Sequence, residues 1–144
     1  MTETLINRKT AELARSKGFL LTCDSFYCEN YEGLCMERDE FLWVESLENP
    51  IYDCNVEFDE GLRYYAPTQA LLQKWLIEVH NIRVYPTQKI AGDFGFDIYI
   101  KNEENPAGSP FKRVSYFTQH FNSYEAALEK GLQEALNLII LNTN

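Results

Sequence analysis

The clearest hydrophobic pattern of the chain begins with a stripe at helical spacing after Pro67. Proline suits the first turn of a helix because the N–H that it lacks would be unpaired there. Asn81 follows the stripe and is the expected end of the helix. The pattern predicts an amphipathic helix that buries one face. That face consists of Leu71, Leu72, Trp75, Leu76 and Val79.

Three extended segments follow this helix. Residues 82–85 alternate between apolar and polar side chains until Pro86, which is expected to stop the run. Residues 94–101 alternate throughout and form the clearest strand pattern in the chain. Residues 111–117 resume extended character after a loop that contains Asn-Pro and Gly-Ser-Pro. We therefore expect three strands of an antiparallel sheet.

A second amphipathic helix closes the pattern. Ser123 is a favourable N-cap, and Glu125 in the first turn suits the helix dipole. Leu128, Leu132, Leu136 and Ile139 form its apolar stripe. Glycine inside a helix costs about 1 kcal/mol relative to alanine, so Gly131 predicts the close approach of another element. We favour packing within the chain, and the alternative is a dimer through the face formed by Ala127, Gly131 and Ala135.

The patterns together predict one α+β domain over residues 1–144. Residues 1–65 hold a helix at 5–17, which ends at Gly18, and a short β-rich segment. Within that segment, the apolar run 41–44 predicts a buried strand, and the alternation at 52–59 predicts a half-buried strand. Residues 66–144 form an α-β-β-β-α unit, an antiparallel sheet packed by two helices. A chain of this length fits a single domain.

Charge divides the chain at the same place. The net charge is −9; residues 1–65 hold 6 Lys/Arg and 14 Asp/Glu, giving −8, and residues 66–144 hold 7 and 8, giving −1. The acidic half repels phosphate. We interpret it as a solvated surface, and the alternative is a docking surface for a basic protein partner.

The four cysteines, Cys23, Cys28, Cys35 and Cys54, all lie in the acidic half. Their spacing contains no C-x2-C pair of the kind found in structural zinc sites, so we expect buried free thiols and neither metal nor cofactor. The N-terminal residues lack the pattern of a signal peptide, and no apolar stretch is long enough to span a bilayer. A cytoplasmic protein without membrane contact is expected.

Catalytic motifs are missing from the sequence. It contains no Gly-x-Gly-x-x-Gly, Walker, Gly-x-Ser-x-Gly or His-Glu-x-x-His pattern. His80 closes the first helix of the C-terminal half, where a cation suits the helix dipole, and His120 precedes the last helix. We name no catalytic residue and expect a protein that is not an enzyme, although a Cys/His pair could still meet in space.

Two observations bear on nucleic acid as a partner. The α-β-β-β-α order is shared with double-stranded-RNA-binding domains, but Glu125 and Glu129 lie where such domains need lysine, so duplex RNA is not expected. The alternative is a face formed across two neighbouring strands, which would offer stacking and phosphate contacts. Its residues are Arg83, Tyr85, Tyr99 and Lys101. We favour the interpretation that the N-terminal half covers this face and that its tyrosines are half-buried packing, so nucleic acid is not the expected partner.

Two segments also carry a resemblance. APTQALLQKWL at residues 66–76 and SYEAALEKGLQEAL at residues 123–136 resemble a family of small proteins of gut bacteria, their phages and prophages. The similarity covers the C-terminal half and, more loosely, the Lys17-Gly18-Phe19 end of the first helix; Ile77 stands where the family often has arginine. The resemblance implies a phage or prophage context and gives no mechanism. It implies a phage-type accessory protein, which we expect to act through protein–protein interaction.

Overall fold

The computed structural model shows an α+β protein that divides into two compact units, which confirms the expected fold class. The first unit is Leu5–Pro67, and the second is Thr68–Asn144 together with Met1–Thr4. This boundary falls close to the change in charge after residue 65. The prediction of one domain over 1–144 stays a prediction. The structure describes residues 4–28, 31–38, 41–44, 63–89, 91–103, 107–114 and 120–140.

The first unit opens with helix α1 (Arg8–Ser16), which is shorter than the predicted 5–17. It starts later because Asn7 is the N-cap, and its side-chain oxygen accepts the N–H of Thr10 at 2.9 Å. Gly18 follows the helix with a φ of 95°, the left-handed conformation that the sequence predicts there. Local capping chemistry therefore fixes both ends of α1.

Four described strands of the first unit form one antiparallel sheet. They are β1 (Ser25–Cys28), β2 (Tyr31–Arg38), β3 (Phe41–Val44) and β4 (Arg63–Tyr65), in the order β3-β2-β1-β4. Phe26, Cys28 and Cys35 are fully buried in this unit. The predicted strand at 41–44 is confirmed as β3. The predicted strand at 52–59, with Cys54, lies outside the described residues.

The second unit begins with helix α2 (Gln69–His80). Thr68 is its N-cap and accepts the N–H of Leu71 at 3.1 Å. Pro67 therefore precedes the cap, and its predicted place in the first turn is wrong, because the Thr68 hydroxyl provides the capping acceptor. Asn81 ends the helix in the left-handed conformation with a φ of 56°, as expected.

The apolar stripe of α2 is narrower than the sequence indicates. Leu72, Trp75 and Leu76 are buried, whereas Leu71 is 39% exposed and Val79 is 59% exposed. The prediction that all five side chains are buried is wrong for these two. The reason is that α2 packs against α3 (Tyr124–Asn137) and β5 (Arg83–Gln88), which cover only part of its surface.

The second sheet contains β5, β6 (Phe94–Lys101) and β7 (Phe111–Arg113), antiparallel and in that order. β5 continues through Pro86, which was expected to end it. An edge strand tolerates proline, because one side of its backbone has no ladder to complete. β7 begins at Phe111 as predicted, and residues 115–119 lie outside the described part of the chain.

Helix α3 starts after Ser123, whose hydroxyl accepts the N–H of Ala126 at 3.1 Å, as the sequence predicts. The helix lies on β5 and β6. A Cβ added to Gly131 would lie 2.7 Å from Cγ1 of Val84, so the glycine permits a close helix–sheet approach. Ala127, Gly131 and Ala135 are buried, in keeping with the packing within the chain that the sequence favours, and a dimer stays a prediction.

The two helices of the second unit are also joined by hydrogen bonds. The side-chain amide of Gln69 donates to the carbonyl oxygen of Glu125 at 2.9 Å and to Oε1 of Glu129 at 3.0 Å. Since Gln69 is buried at the start of α2, these bonds satisfy its amide and fix the start of α3 beside it. Within the described residues, no helix is both long and apolar enough to cross a membrane.

Candidate functional site

The alternation of β6 divides the second sheet into two faces. Phe96 and Ile98 point inward and are buried, as is Val84 of β5 beneath α3. The intervening positions form the opposite side of the sheet, which we call the outer face. The described residues of the outer face that carry its charge and aromatic area are Arg83, Tyr85, Asp97, Tyr99, Lys101, Phe111 and Arg113.

Strand register brings the predicted residues together. Arg83 pairs with Tyr99 across β5 and β6, and Tyr99 pairs with Arg113 across β6 and β7, so one row crosses the whole sheet. The next row along joins Tyr85 to Asp97. On the other side of the first row, Lys101 pairs with Phe111. All four residues predicted from the sequence lie on this face. The face spans three strands, whereas the sequence predicts a face across two.

Aromatic rings dominate the centre of the outer face. The rings of Tyr85 and Tyr99 lie 6.0 Å apart between centroids and are tilted by 50°. Tyr85 is 42% exposed. The guanidinium of Arg83 lies 4.1 Å from the centroid of the Phe111 ring, which is a cation–π contact, and it donates to Oδ1 of Asn81 at 3.1 Å. Three rings and one arginine plane therefore form a preorganised surface.

An open pocket of about 410 Å³ lies among these rings. The loop before β7 closes one side of it through Ser109. The Ser109 hydroxyl donates to the carbonyl oxygen of Phe111 at 3.0 Å, and Nδ2 of Asn102 donates to the carbonyl oxygen of Ser109 at 3.0 Å. These bonds hold the loop against the end of β6. The pocket is lined by Arg83, Tyr85, Tyr99, Ser109 and Phe111.

Charge is segregated between the two sides of the second unit. Within the defined outer face, Arg83, Lys101 and Arg113 stand against the single carboxylate of Asp97, which pairs with Arg113 at 3.6 Å. The helices carry the opposite balance, with four carboxylates against Lys74 and Lys130. Those carboxylates belong to Glu78, Glu125, Glu129 and Glu134. The near-neutral charge of residues 66–144 thus conceals a cationic sheet face.

A second polar cluster lies at the far end of the β5–β6 hairpin. Nδ1 of His120 contacts the Asp93 carboxylate, and Nζ of Lys89 lies 3.4 Å from the same ring nitrogen. Paired backbone hydrogen bonds of 2.9 Å between Phe94 and Phe121 bring the two segments together. Lys89 also extends over the outer face, since a Cβ added to Gly95 would lie 3.0 Å from its Cε.

The remaining titratable groups of interest are structural. The ring of His80 packs edge-on against Trp75 with a centroid distance of 4.8 Å, and burial lowers the pKa of this histidine. Sγ of Cys28 lies 3.5 Å from Sγ of Cys35 in the core of the first unit. Burial and then the hydrogen bond to Cys28 raise the pKa of Cys35 to about 12. A thiol with this pKa is a poor nucleophile near neutral pH.

Sequence patterns missed part of the outer face. Phe111, Arg113 and Ser109 join it only because β7 and its preceding loop pair with the end of β6. Sequence patterns also miss the contact between His120 and Asp93, because the two residues are far apart in the sequence and meet only in the folded protein. Alternation in 94–101 indicated which side chains share a face, but the register of a third strand leaves no signal of that kind.

Two further points bound the candidate site. Most carboxylates of the acidic half lie outside the described residues, so an acidic docking surface stays a prediction. Across the described ranges, no group of three or more His, Cys, Asp or Glu side chains could hold a metal ion.

Comparisons with protein-family models, curated proteins and solved structures find no match to this chain. The geometry of the outer face is therefore the basis for a function.

Proposed function

We propose that the protein is a non-enzymatic binding module that holds an anionic partner on the outer face of its second sheet. One observation carries this proposal. The row of Arg83, Tyr99 and Arg113 crosses all three strands beside the exposed Tyr85, on the side of the unit where cations exceed carboxylates. The helical side has the reverse balance, so an anion is favoured on the sheet.

The chemistry of these side chains suits binding. Tyrosine and arginine are enriched in the central residues of interfaces. Tyrosine buries a large area with little loss of rotamer freedom, and arginine forms several hydrogen bonds from one planar group. The guanidinium of Arg83 presents its N–H donors in a planar array that fits carboxylate and phosphate groups. Its stacking on Phe111 at 4.1 Å fixes the plane before a partner arrives.

Several expectations from the sequence accompany this proposal. A phage or prophage accessory protein located in the cytoplasm is consistent with a small binding module. A basic protein partner for the acidic residues 1–65 stays a separate prediction, since most of those carboxylates lie outside the described ranges. The proposal concerns the outer face only.

Binding of polyanions to the full chain tests the proposal. Fluorescence anisotropy at low salt would follow two labelled probes, polyglutamate and a single-stranded oligonucleotide of about 12 nucleotides, a length within the usual site sizes for single strands. We expect at least one probe to bind. Charge reversal by Lys101→Glu should weaken that binding by about tenfold, which corresponds to one lost charge-assisted contact of roughly 1.4 kcal/mol.

A matched charge reversal on the helical side provides the control. Lys74 is exposed on α2 and pairs with Glu78 at 3.8 Å, so Lys74→Glu changes the net charge equally at a site remote from the outer face within the unit. This variant should bind as the wild type does. Equal weakening by both variants would show that only the net charge matters, and failure of both probes to bind would refute an anion-binding face.

A further inference from the structure

We infer that the anionic partner is single-stranded nucleic acid, with a base stacked in the pocket of the outer face and the flanking phosphates on its cations. This inference rests on the proposed function and names the partner of the same face. Three arguments support it: the geometry of the rings, the placement of cations at both ends of the face, and the poor fit of a duplex.

The rings favour bases over carboxylates. Tyr85 and Tyr99 present two aromatic rings, tilted by 50° with centroids 6.0 Å apart, at the border of the pocket, and Arg83 on Phe111 provides a further planar surface. Nucleobases stack on such planes whatever their identity, because every base has a π-face. A pocket of about 410 Å³ is within the range of roughly 300–1,000 Å³ that holds small organic groups. An acidic peptide would pair with the cations and leave the rings unstacked.

Cations flank the rings along the direction of β6. Lys101 ends the strand beside Phe111, and the Lys89 side chain extends over Gly95 at the other end. The distance from residue 95 to residue 101 is roughly 20 Å at 3.3 Å per residue. A nucleic-acid backbone laid along this line would meet a positive charge on either side of the stacked base. Glu103 follows β6 in the loop, and its negative charge marks the end of the cationic region on that side.

A single strand fits better than a duplex. Bases in a duplex are stacked on one another and cannot place a face on Tyr85 or Tyr99, whereas a single strand can. The first turn of α3, where a double-stranded-RNA-binding domain needs cations, carries Glu125, and Glu129 follows it with its carboxylate bonded to Gln69. The net charge of −9 also opposes distant attraction of any nucleic acid, so binding depends on local contacts.

Competition among matched polyanions tests this inference. The full chain would be titrated with single-stranded DNA and RNA of about 12 nucleotides, with the corresponding duplexes, and with polyglutamate of the same charge. We expect single strands to bind at least about tenfold more tightly than the duplex or polyglutamate, which is the gain expected from one stacked base. The DNA and RNA arms identify which single strand is preferred.

Tyrosine variants test the stacking itself. Tyr99→Ala should weaken single-strand binding by about 5- to 150-fold, the usual range for loss of one base–aromatic stack. Tyr124 is 47% exposed on α3, so Tyr124→Ala is the matched control and should leave affinity unchanged. If thermal melting shows that Tyr99→Ala does not fold, Tyr85→Ala replaces it, because Tyr85 is the more exposed ring, and the same loss is expected.

Salt dependence gives an independent measure. Two phosphates bound by Lys89 and Lys101 predict a slope of about −1.4 for the logarithm of affinity against the logarithm of salt concentration, or about a 7-fold loss between 50 and 200 mM. Polyglutamate or duplex binding as tight as single-strand binding would refute the inference, as would an unchanged affinity on loss of the tyrosine. Binding of polyglutamate alone would refute it while leaving the proposed function intact, and binding of no probe would refute both.

Discussion

Gly131 lies so close to Val84 that an added Cβ would come within 2.7 Å of Cγ1 of the valine. Alanine at this position would gain about 1 kcal/mol of helix propensity, but overpacking of a filled core costs roughly 1–3 kcal/mol. We expect Gly131→Ala to lower the free energy of unfolding by about 1 kcal/mol. Urea denaturation followed by circular dichroism would measure the change.

The double variant separates this contact from a general effect of alanine. Val84→Ala removes the Cγ1 atom that the new methyl group would strike. In that background, Gly131→Ala should cost less than it does alone, giving a favourable coupling of about 1 kcal/mol in a double-mutant cycle. Strict additivity would contradict the contact between α3 and β5.

Trp75 is the large side chain of α2 that the core depends on. It is 8% exposed and packs against His80, so Trp75→Ala should lower the free energy of unfolding by roughly 3–5 kcal/mol. Leu71 is 39% exposed one turn earlier, and Leu71→Ala should cost about 1 kcal/mol or less. Equal costs for the two variants would show that the buried stripe is as wide as the sequence pattern indicates.

These residues also show how far local sequence determines the fold. Capping is a local interaction, and Asn81, Ser123 and Gly18 end or begin helices where the sequence predicts. Alternation is local too, so 94–101 reveals which side chains share one side of β6. The tolerance of Pro86 depends on the position of β5 at a sheet edge, which is a tertiary property and leaves no mark in the neighbouring residues.

The outer face combines both kinds of information. Alternation along β5 and β6 brings Arg83, Tyr85 and Tyr99 to one side, and that part was predictable. Phe111 and Arg113 add a ring and a cation through the register of a strand that follows a long loop. A shift of that register by one residue would turn both side chains to the inner face, so no pattern within residues 111–113 could place them.

The buried thiol pair predicts an order of chemical reactivity. Burial and the hydrogen bond to Cys28 raise the pKa of Cys35 to about 12, so this thiol is scarcely ionised at pH 8. Cys23 is only partly buried, although burial and the charge of Asp24 raise its pKa as well. Iodoacetamide should therefore label Cys23 in the native protein well before Cys28 or Cys35. Peptide mass spectrometry would read the order, and unfolding in urea should abolish it.

The lowered pKa of His80 predicts how the free energy of unfolding changes at acid pH. Its Nε2 is buried without a hydrogen-bond partner, and burial lowers its pKa from the ordinary 6.5. The unfolded chain therefore takes up this proton at a higher pH than the folded chain. The free energy of unfolding should be at its full value above pH 6.5, fall as the pH drops through 6.5 toward the folded pKa, and level off below that.

The variant His80→Gln isolates this contribution from the other titrating groups. Urea denaturation of both proteins across the acid range would give the difference in free energy of unfolding at each pH, and the wild type should lose stability relative to the variant as the pH falls below 6.5. A difference that grew in favour of the wild type would mean that the C-terminal dipole of α2 holds the imidazolium. In that case electrostatics at the helix end, and not desolvation against Trp75, would control this histidine.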